Sequence, residues 1–494
     1  MRIKIIVLIF IGTFLVIGCI QKQTQSELPT IEEIGNRVVS ERLIVQFDFF
    51  SGIPENFKVS PDSKRIAYVA NQGKKQSLVV DGNEEKQYDE IGFDASVFSP
   101  DSKRVAYAAK EGKNWSVIAD GKEETQYDGI MKGTPAFSPD SKHVVYAAKE
   151  GENWSVIADG KKKKQYDNIE QGSLIFSPDS EHVAYAAKEG NKWFAVVDGK
   201  EEKQYDNIKE GSMIFSPDSK RVAYVAGEGD KWFVVVDGKE EKRYDVVSIY
   251  SPLFSPDGKR VAYVAREGDK WFVVVDGKEE KRYDSILKSP PVFSPDSKRV
   301  AYAAKEGGMF VVVDGKEEKI YDSILKYTPG FSPDSKRVAY AAREGRTFFA
   351  VVDGKEEKRY DSILKYTPIF SPDGKRVAYG ARENGTWFAV VDGKEERRYD
   401  IFISGSKGVV TGKAGYDVIM DGTLTFSPDS KHVVYGAFDG GKQFVVVDGE
   451  AGKEYDSIVT YGGGNILFDS LDSFHYLASK GRGIYLIEEK IVKE

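Results

Sequence analysis

The triplet Ser-Pro-Asp begins at Ser60, Ser99, Ser138, Ser177, Ser216, Ser255, Ser294, Ser332, Ser371 and Ser427, at intervals of 39 residues save one of 38 and one of 56. A period of this length marks a chain built from one supersecondary unit that buries its apolar faces only against copies of itself. The copies are close. WFVVVDGKEEKRYD stands verbatim at Trp232–Asp245 and again at Trp271–Asp284. The length of 494 residues would otherwise suggest two or three domains.

The copy from Gly211 to Asp245 divides into four short strands separated by turn chemistry. SMIF, ending at Phe215, is the first; SPDSK then supplies a Pro that presets φ and an Asp and a Ser that close a tight turn. RVAYVA (Arg221–Ala226) follows, then the turn Gly227–Asp230, then WFVVV (Trp232–Val236). Asp237-Gly238 is a two-residue hairpin signal. EEKRYD, the fourth strand, is charged as an outer edge must be to resist pairing. The second and third strands are apolar at successive positions, so both faces of each small sheet are buried. The fold class is therefore all-β: a β-propeller of four-stranded antiparallel blades, about ten to eleven repeats of 39 residues. This wording resembles the TolB-like, WD-like propeller repeat, in which an aromatic residue precedes Ser-Pro-Asp-Gly-Lys. Phe254–Lys259 and Phe370–Lys375 match in full, while most copies carry Ser in place of Gly.

Ten full repeats run from about 53 to 456. NILFDS, FHYLAS and GIYLIEE then read as three strands of a degraded last blade over 463–494, and RLIVQFDFF (Arg42–Phe50) is placed to supply its fourth strand and clasp the ends. A single large ring is preferred, for want of any linker; two rings of five or six blades stay open.

Before the repeats, Arg2 and Lys4 precede an apolar run from Ile5 to Ile17, too short to span a bilayer and ordered as a secretion signal. Val16-Ile17-Gly18-Cys19 resembles the lipobox of prokaryotic lipoproteins, which implies cleavage before Cys19, its acylation, and an extracytoplasmic, membrane-anchored body. Cys19 is the sole cysteine, so no internal disulfide competes for it. The expected organisation is a signal peptide over 1–18, a polar tether over 19–40 and a propeller over 41–494.

Function is expected in binding, to a protein or glycan, with a structural role in the assembly of the cell envelope as the alternative and an enzyme acting on surface polysaccharide as the remoter one. With 71 basic and 78 acidic residues evenly spread, no basic face points at nucleic acid. Catalysis is not expected. The chain carries no GxSxG elbow, HExxH, P-loop or Cys pair with metal spacing, and DGKEEK lacks the alternating oxygens of a calcium loop, so neither cofactor nor metal is assigned. His143, His182 and His432 fill the slot held elsewhere by Arg and read as surface substitutions.

Antiparallel topology puts the Ser-Pro-Asp and Asp-Gly turns on one side of the ring. The links between blades differ among copies (NIKEGS, VVSIYS, SILKSP, SILKYT) and are assigned to the opposite side, as loops on a rigid scaffold that carry binding. The candidate face comprises Tyr250, Tyr327, Tyr366 and Tyr461 with Lys288, Lys326 and Lys365. The long interval between triplets holds 17 extra residues between Tyr399-Asp400 and Tyr416-Asp417, either of which pairs aligns with the end of a fourth strand. This insert, with Lys407 and Lys413, is the first candidate for specificity, read as an extra outer hairpin or a long loop.

Overall fold

In the computed structural model, residues 29–47, 57–92, 97–248, 252–287, 290–326, 329–401 and 423–492 are described. They form eleven small antiparallel sheets arranged as one β-propeller ring. Blades 1 to 11 begin at Phe57, Glu90, Gly129, Asn168, Asn207, Val246, Ser285, Ser323, Ser362, Asp400 and Ser457.

Blade 5 shows the pattern. Its second strand, Val222–Glu228, pairs with the third, Lys231–Val236, and both are buried. The inner strand comes in two pieces. Asn207–Ile208 pairs with the end of the second strand and Ile214–Phe215 with its beginning. The outer strand is also broken: Lys239–Glu240 pairs with Val235 and Val236, and Tyr244 bridges to Trp232. That offset turns the Tyr244 ring under the next blade, fully buried, with its centroid 5.3 Å from Phe272 and 6.3 Å from Tyr263. Each such burial contributes about 1.5–3 kcal/mol, and the repeat places one between successive blades. Consecutive apolar positions in the middle strands are thus explained, because one set packs against the blade before and the other against the blade after.

The last blade is composite. Its inner pieces are Ser457–Ile458 and Leu467–Phe468, followed by Ser473–Lys480 and Gly483–Ile491. The N-terminal strand Arg37–Gln46 then pairs with Gly483–Ile491, from Arg37↔Ile491 to Gln46↔Gly483, and Thr30–Ile34 adds one further strand outside it. The expected clasp is present, displaced toward the N-terminus: residues 48–50 of the proposed strand lie outside the described residues, and the strand begins at Arg37. The tether assigned to 19–40 is corrected accordingly, since the folded body begins at Thr30. Thr30–Ile34 is exposed along almost its whole length at the edge of the sheet, which is why it carries no apolar alternation.

A buried ion pair locks the clasp. Arg37 lies 2.9 Å from Glu489 and donates to the carbonyls of Val445 and Glu450, while the Tyr476 hydroxyl donates to Glu489 at 2.6 Å. The seam between blades 11 and 1 is closed by Val45, Phe47, Phe57 and Ile66 against Val459 and Leu477. Polar contacts join it: the Asn465 N–H donates to Ser63 Oγ, Lys64 meets Asp469 at 2.9 Å, and His475 lies 2.6 Å from both Asp469 Oδ2 and the Asp62 carbonyl.

Candidate functional site

The side of the ring carrying the Ser-Pro-Asp and Asp-Gly turns is an inter-blade girdle. In blade 6, Ser255 Oγ donates to Asp257, whose other bonds fix the turn, and Arg260 Nε meets Asp276 of the Asp-Gly turn at 2.8 Å. The same guanidinium donates to the carbonyls of Ser297 and Lys298 in blade 7 and lies 5.2 Å from the Phe293 ring. The Asp257 N–H donates to Ser297 Oγ. This last bond accounts for Ser standing where the TolB-like hallmark has Gly. The residue sits at positive φ (Ser297, 65°), and its hydroxyl receives a bond from the preceding blade that Gly258 cannot receive. The girdle was missed in the sequence because each of its groups also has a sufficient local explanation as turn chemistry.

His143, His182 and His432 occupy the Arg slot and keep the bond to Asp159, Asp198 and Asp448, at 2.6, 2.7 and 2.6 Å. Among the described residues they make no hydrogen bond to the next blade, so they are weak points of the girdle rather than neutral surface changes. Asp198 raises the His182 pKa by accepting its hydrogen bond. His182, Asp179 and Glu181 are close enough together to share a cation, but all three side chains lie in the turn and Asp179 is engaged by Ser177 and the Glu181 N–H.

The variable segments lie elsewhere than expected. In blade 9, Ser362–Ile363 and Ile369–Phe370 both pair with the one continuous second strand, Val377–Glu383. The Leu364 N–H still donates to the Gly380 carbonyl, and Lys365 to Pro368 then leave the sheet at its inner edge, so a segment assigned to the opposite side of the ring instead belongs to the wall of the central opening. Inner strands of adjacent blades touch here, as Val292–Phe293 and Gly330–Phe331 do. Lys326 and Lys365 are exposed on this wall and Tyr366 is half-buried. Tyr461 begins a short 3-10 turn in the equivalent break of blade 11. Tyr250, Lys288 and Tyr327 lie outside the described residues, as do Cys19, Lys407 and Lys413.

Tyr366 has φ 63°. The same slot is Gly133, Gly172 and Gly211 in blades 3 to 5, with φ 82°, 74° and 66°. The break thus requires a left-handed residue, and blade 9 meets that requirement with a tyrosine, at a cost of about 1–2 kcal/mol. Strain of this kind persists where the surroundings over-determine it and concentrates at ligand sites.

The insert is also located by its flanks. Asp400–Ile401 pairs with the end of Val433–Asp439 and Thr425–Phe426 with its beginning, so 402–422, which are outside the described residues, interrupt the inner strand of blade 10. Tyr399 packs its ring 5.2 Å from Phe444 as Tyr360 packs on Phe388, so it is the structural counterpart of the tyrosines in the other Tyr-Asp pairs, while Tyr416-Asp417 and the insert's own lysines lie outside the described residues.

The wall differs in charge around the ring. Where blades 8 and 9 carry Leu325-Lys326 and Leu364-Lys365, blades 4 and 5 carry Glu170 and Lys209-Glu210. Burial holds the Lys209 ammonium below its ordinary pKa; it donates to the Val247 carbonyl at 2.6 Å and lies 5.5 Å over Trp232. Burial and then Glu210 raise the Glu170 pKa. Among the described residues, Glu170 and Glu210 thus stand on the wall at blades 4 and 5, and Lys326, Lys365 and Tyr366 at blades 8 and 9.

No family model matches the chain, and no curated protein does. Among solved structures it is similar to a eukaryotic initiation factor, 14% identical over 68% of this chain and 96% of that one, with a TM-score of 0.38. It is also similar to TolB from Acinetobacter baumannii, 17% identical over 58% and 77% of the two chains (TM-score 0.24). The dihydro-heme d1 dehydrogenase NirN in complex with DHE is 15% identical over 64% and 77% (TM-score 0.29). Likenesses at these values carry no argument about function.

Proposed function

We propose that this chain is a lipid-anchored, extracytoplasmic binding scaffold, non-catalytic, which holds a protein or glycan ligand at the wall of its central opening. The observation that carries this reading is Tyr366 at φ 63° in a slot that three other blades fill with glycine, beside the exposed Lys365. An aromatic face and an ammonium on a rigid wall suit a ligand with both apolar and anionic or hydroxylated surface. Lys326 in blade 8 repeats the basic element. Cys19 supplies the anchor through acylation.

The test is retention of envelope-extract protein or glycan on immobilised chain starting at Ile20. Wild type retains a defined ligand and K365A/Y366G loses it while keeping its unfolding temperature. Equal retention by both would remove the wall as the site. Cys19→Ala, expressed with its signal, leaves the membrane fraction; continued membrane recovery would overturn the anchor.

A further inference from the structure

We infer that the outer edge of blade 3 is a docking strip for an anionic bilayer surface, which steers the rim of the ring onto the membrane. Every other outer strand of the repeats includes acidic residues, whereas Lys161–Tyr166 reads KKKKQY. Two interactions shared by most blades are lost through this change. The outer strands of successive blades are linked by Lys-to-Glu contacts, such as Lys86–Glu123 at 3.0 Å, Lys281–Glu317 at 2.6 Å and Lys358–Glu395 at 2.5 Å. Blade 3 has Lys162 in the acceptor slot, so the link from blade 2 is absent, and blade 2 correspondingly has Thr125 in the donor slot. In addition, Tyr107, Tyr146 and Tyr224 donate to Glu85, Glu124 and Glu202 of the preceding blade at 2.7–2.8 Å. At the next such position Lys163 replaces the glutamate, and the buried Tyr185 hydroxyl makes no hydrogen bond among the described residues, as is also true of Tyr379 and Tyr435 beside Glu357 and Glu396. A departure that removes the link from blade 2 and the glutamate beside Tyr185, gaining only the exposed Lys162–Glu150 pair, points to a function for the lysines.

Lys162 meets Glu150, and Lys164 meets Glu201 and Glu189. Lys161 and Lys163 are exposed and pair with no carboxylate among the described residues. Alternation before the bulge that follows Lys162 puts these two residues on the same side of the strand, their Cα atoms about 7 Å apart. The occupant follows from where the chain enters the fold. Thr30–Ile34 is the outermost strand of blade 11, so the described part of the chain starts at the rim, three blades from the lysine strip around the ring. A surface to which the N-terminus is fixed therefore meets the rim, and juxtamembrane lysines are attracted to anionic headgroups. This inference rests on the membrane-anchored reading for its orientation, but its charge argument does not.

The experiment uses the chain starting at Ile20, which lacks Cys19, in co-sedimentation with vesicles of phosphatidylglycerol and phosphatidylcholine or of phosphatidylcholine alone. Binding is expected to the anionic vesicles only and to disappear in 0.5 M salt, where the screening length falls to about 4 Å. The variant K161N/K163E places blade 1's own residues, Asn83 and Glu85, in the two unpaired slots and returns an acceptor to Tyr185. It should bind anionic vesicles at least about tenfold more weakly while unfolding at the same temperature or higher. Equal binding by wild type and variant, or no binding to anionic vesicles, overturns the inference. Because acylation is absent throughout, failure of the anchor reading shows instead in the Cys19→Ala fractionation.

Discussion

Replacing Arg37 with Met is the sharpest perturbation of ring closure. The guanidinium is buried, as is its partner Glu489, and the substitution also removes donors to the carbonyls of Val445 and Glu450. Leaving one charge of such a pair uncompensated costs about 3–5 kcal/mol. In R37M/E489Q the uncompensated charge is gone and an amide oxygen still accepts from Tyr476, so more than about half of that loss should return. Urea unfolding followed by tryptophan fluorescence measures both. The loss also depends on pH with a defined sign. Burial holds the Glu489 pKa above its ordinary value even with Arg37 beside it, and removal of Arg37 raises it further. A carboxyl with a folded pKa above its unfolded one contributes stability below the unfolded pKa, and that contribution is lost as pH rises through the folded pKa. R37M should therefore be more destabilised, relative to wild type, at pH 8 than at pH 5. A loss under about 1 kcal/mol, or an equal loss at both pH values, would refute the buried-pair account of the clasp.

Three other outcomes follow from the repeat geometry. Arg260→His copies the histidine blades: the Asp276 contact survives and the bonds to Ser297 and Lys298 are lost, so urea unfolding should show a loss of about 1–2 kcal/mol, with His182→Arg giving a smaller change of opposite sign. Tyr366→Gly relieves left-handed strain and should leave the unfolding temperature unchanged or higher, since glycine's entropic penalty of about 0.5–1 kcal/mol is no larger than the strain removed; a marked fall in calorimetry would mean that Tyr366 packs as core. Replacing residues 402–423 with Leu-Lys-Tyr-Thr, the corresponding segment of blade 9, should preserve the near-UV circular dichroism spectrum, and collapse of that spectrum would show that the insert is not an elongation of the inner-strand break.

The blade was legible because its middle strands answer to two neighbours at once: residues such as Tyr224 and Phe233 are apolar in succession and fully buried. The turns were legible as turns. Their second role was hidden, because Asp276 in an Asp-Gly hairpin needs no ion pair to explain it, and only the fold brings Arg260 across to it. The two-piece inner strand escaped for a different reason. Its first piece is a dipeptide such as Ser362-Ile363 followed directly by divergent residues, so it reads as the start of a link. Thr30–Ile34 was hidden by exposure, which leaves an edge strand without a periodic signature. Of the candidate residues, Lys326, Lys365 and Tyr366 were singled out by their divergence, but their place on the wall depends on how both pieces register against the second strand. The lysine strip at Lys161–Tyr166 stood in the sequence as a break in the KEEK pattern. Its significance depends on Tyr185, which only the packing of blade 4 against blade 3 brings into relation with Lys163.

The account requires one closed ring in which the N-terminal strand completes the last blade, and end-on electron cryomicroscopy averages of the chain starting at Ile20 test this directly. Eleven blades around a single opening, with one blade broader than the rest by the added strand Thr30–Ile34, are predicted. Two smaller rings, or an open arc with a gap between Phe57 and Ser457, would contradict it.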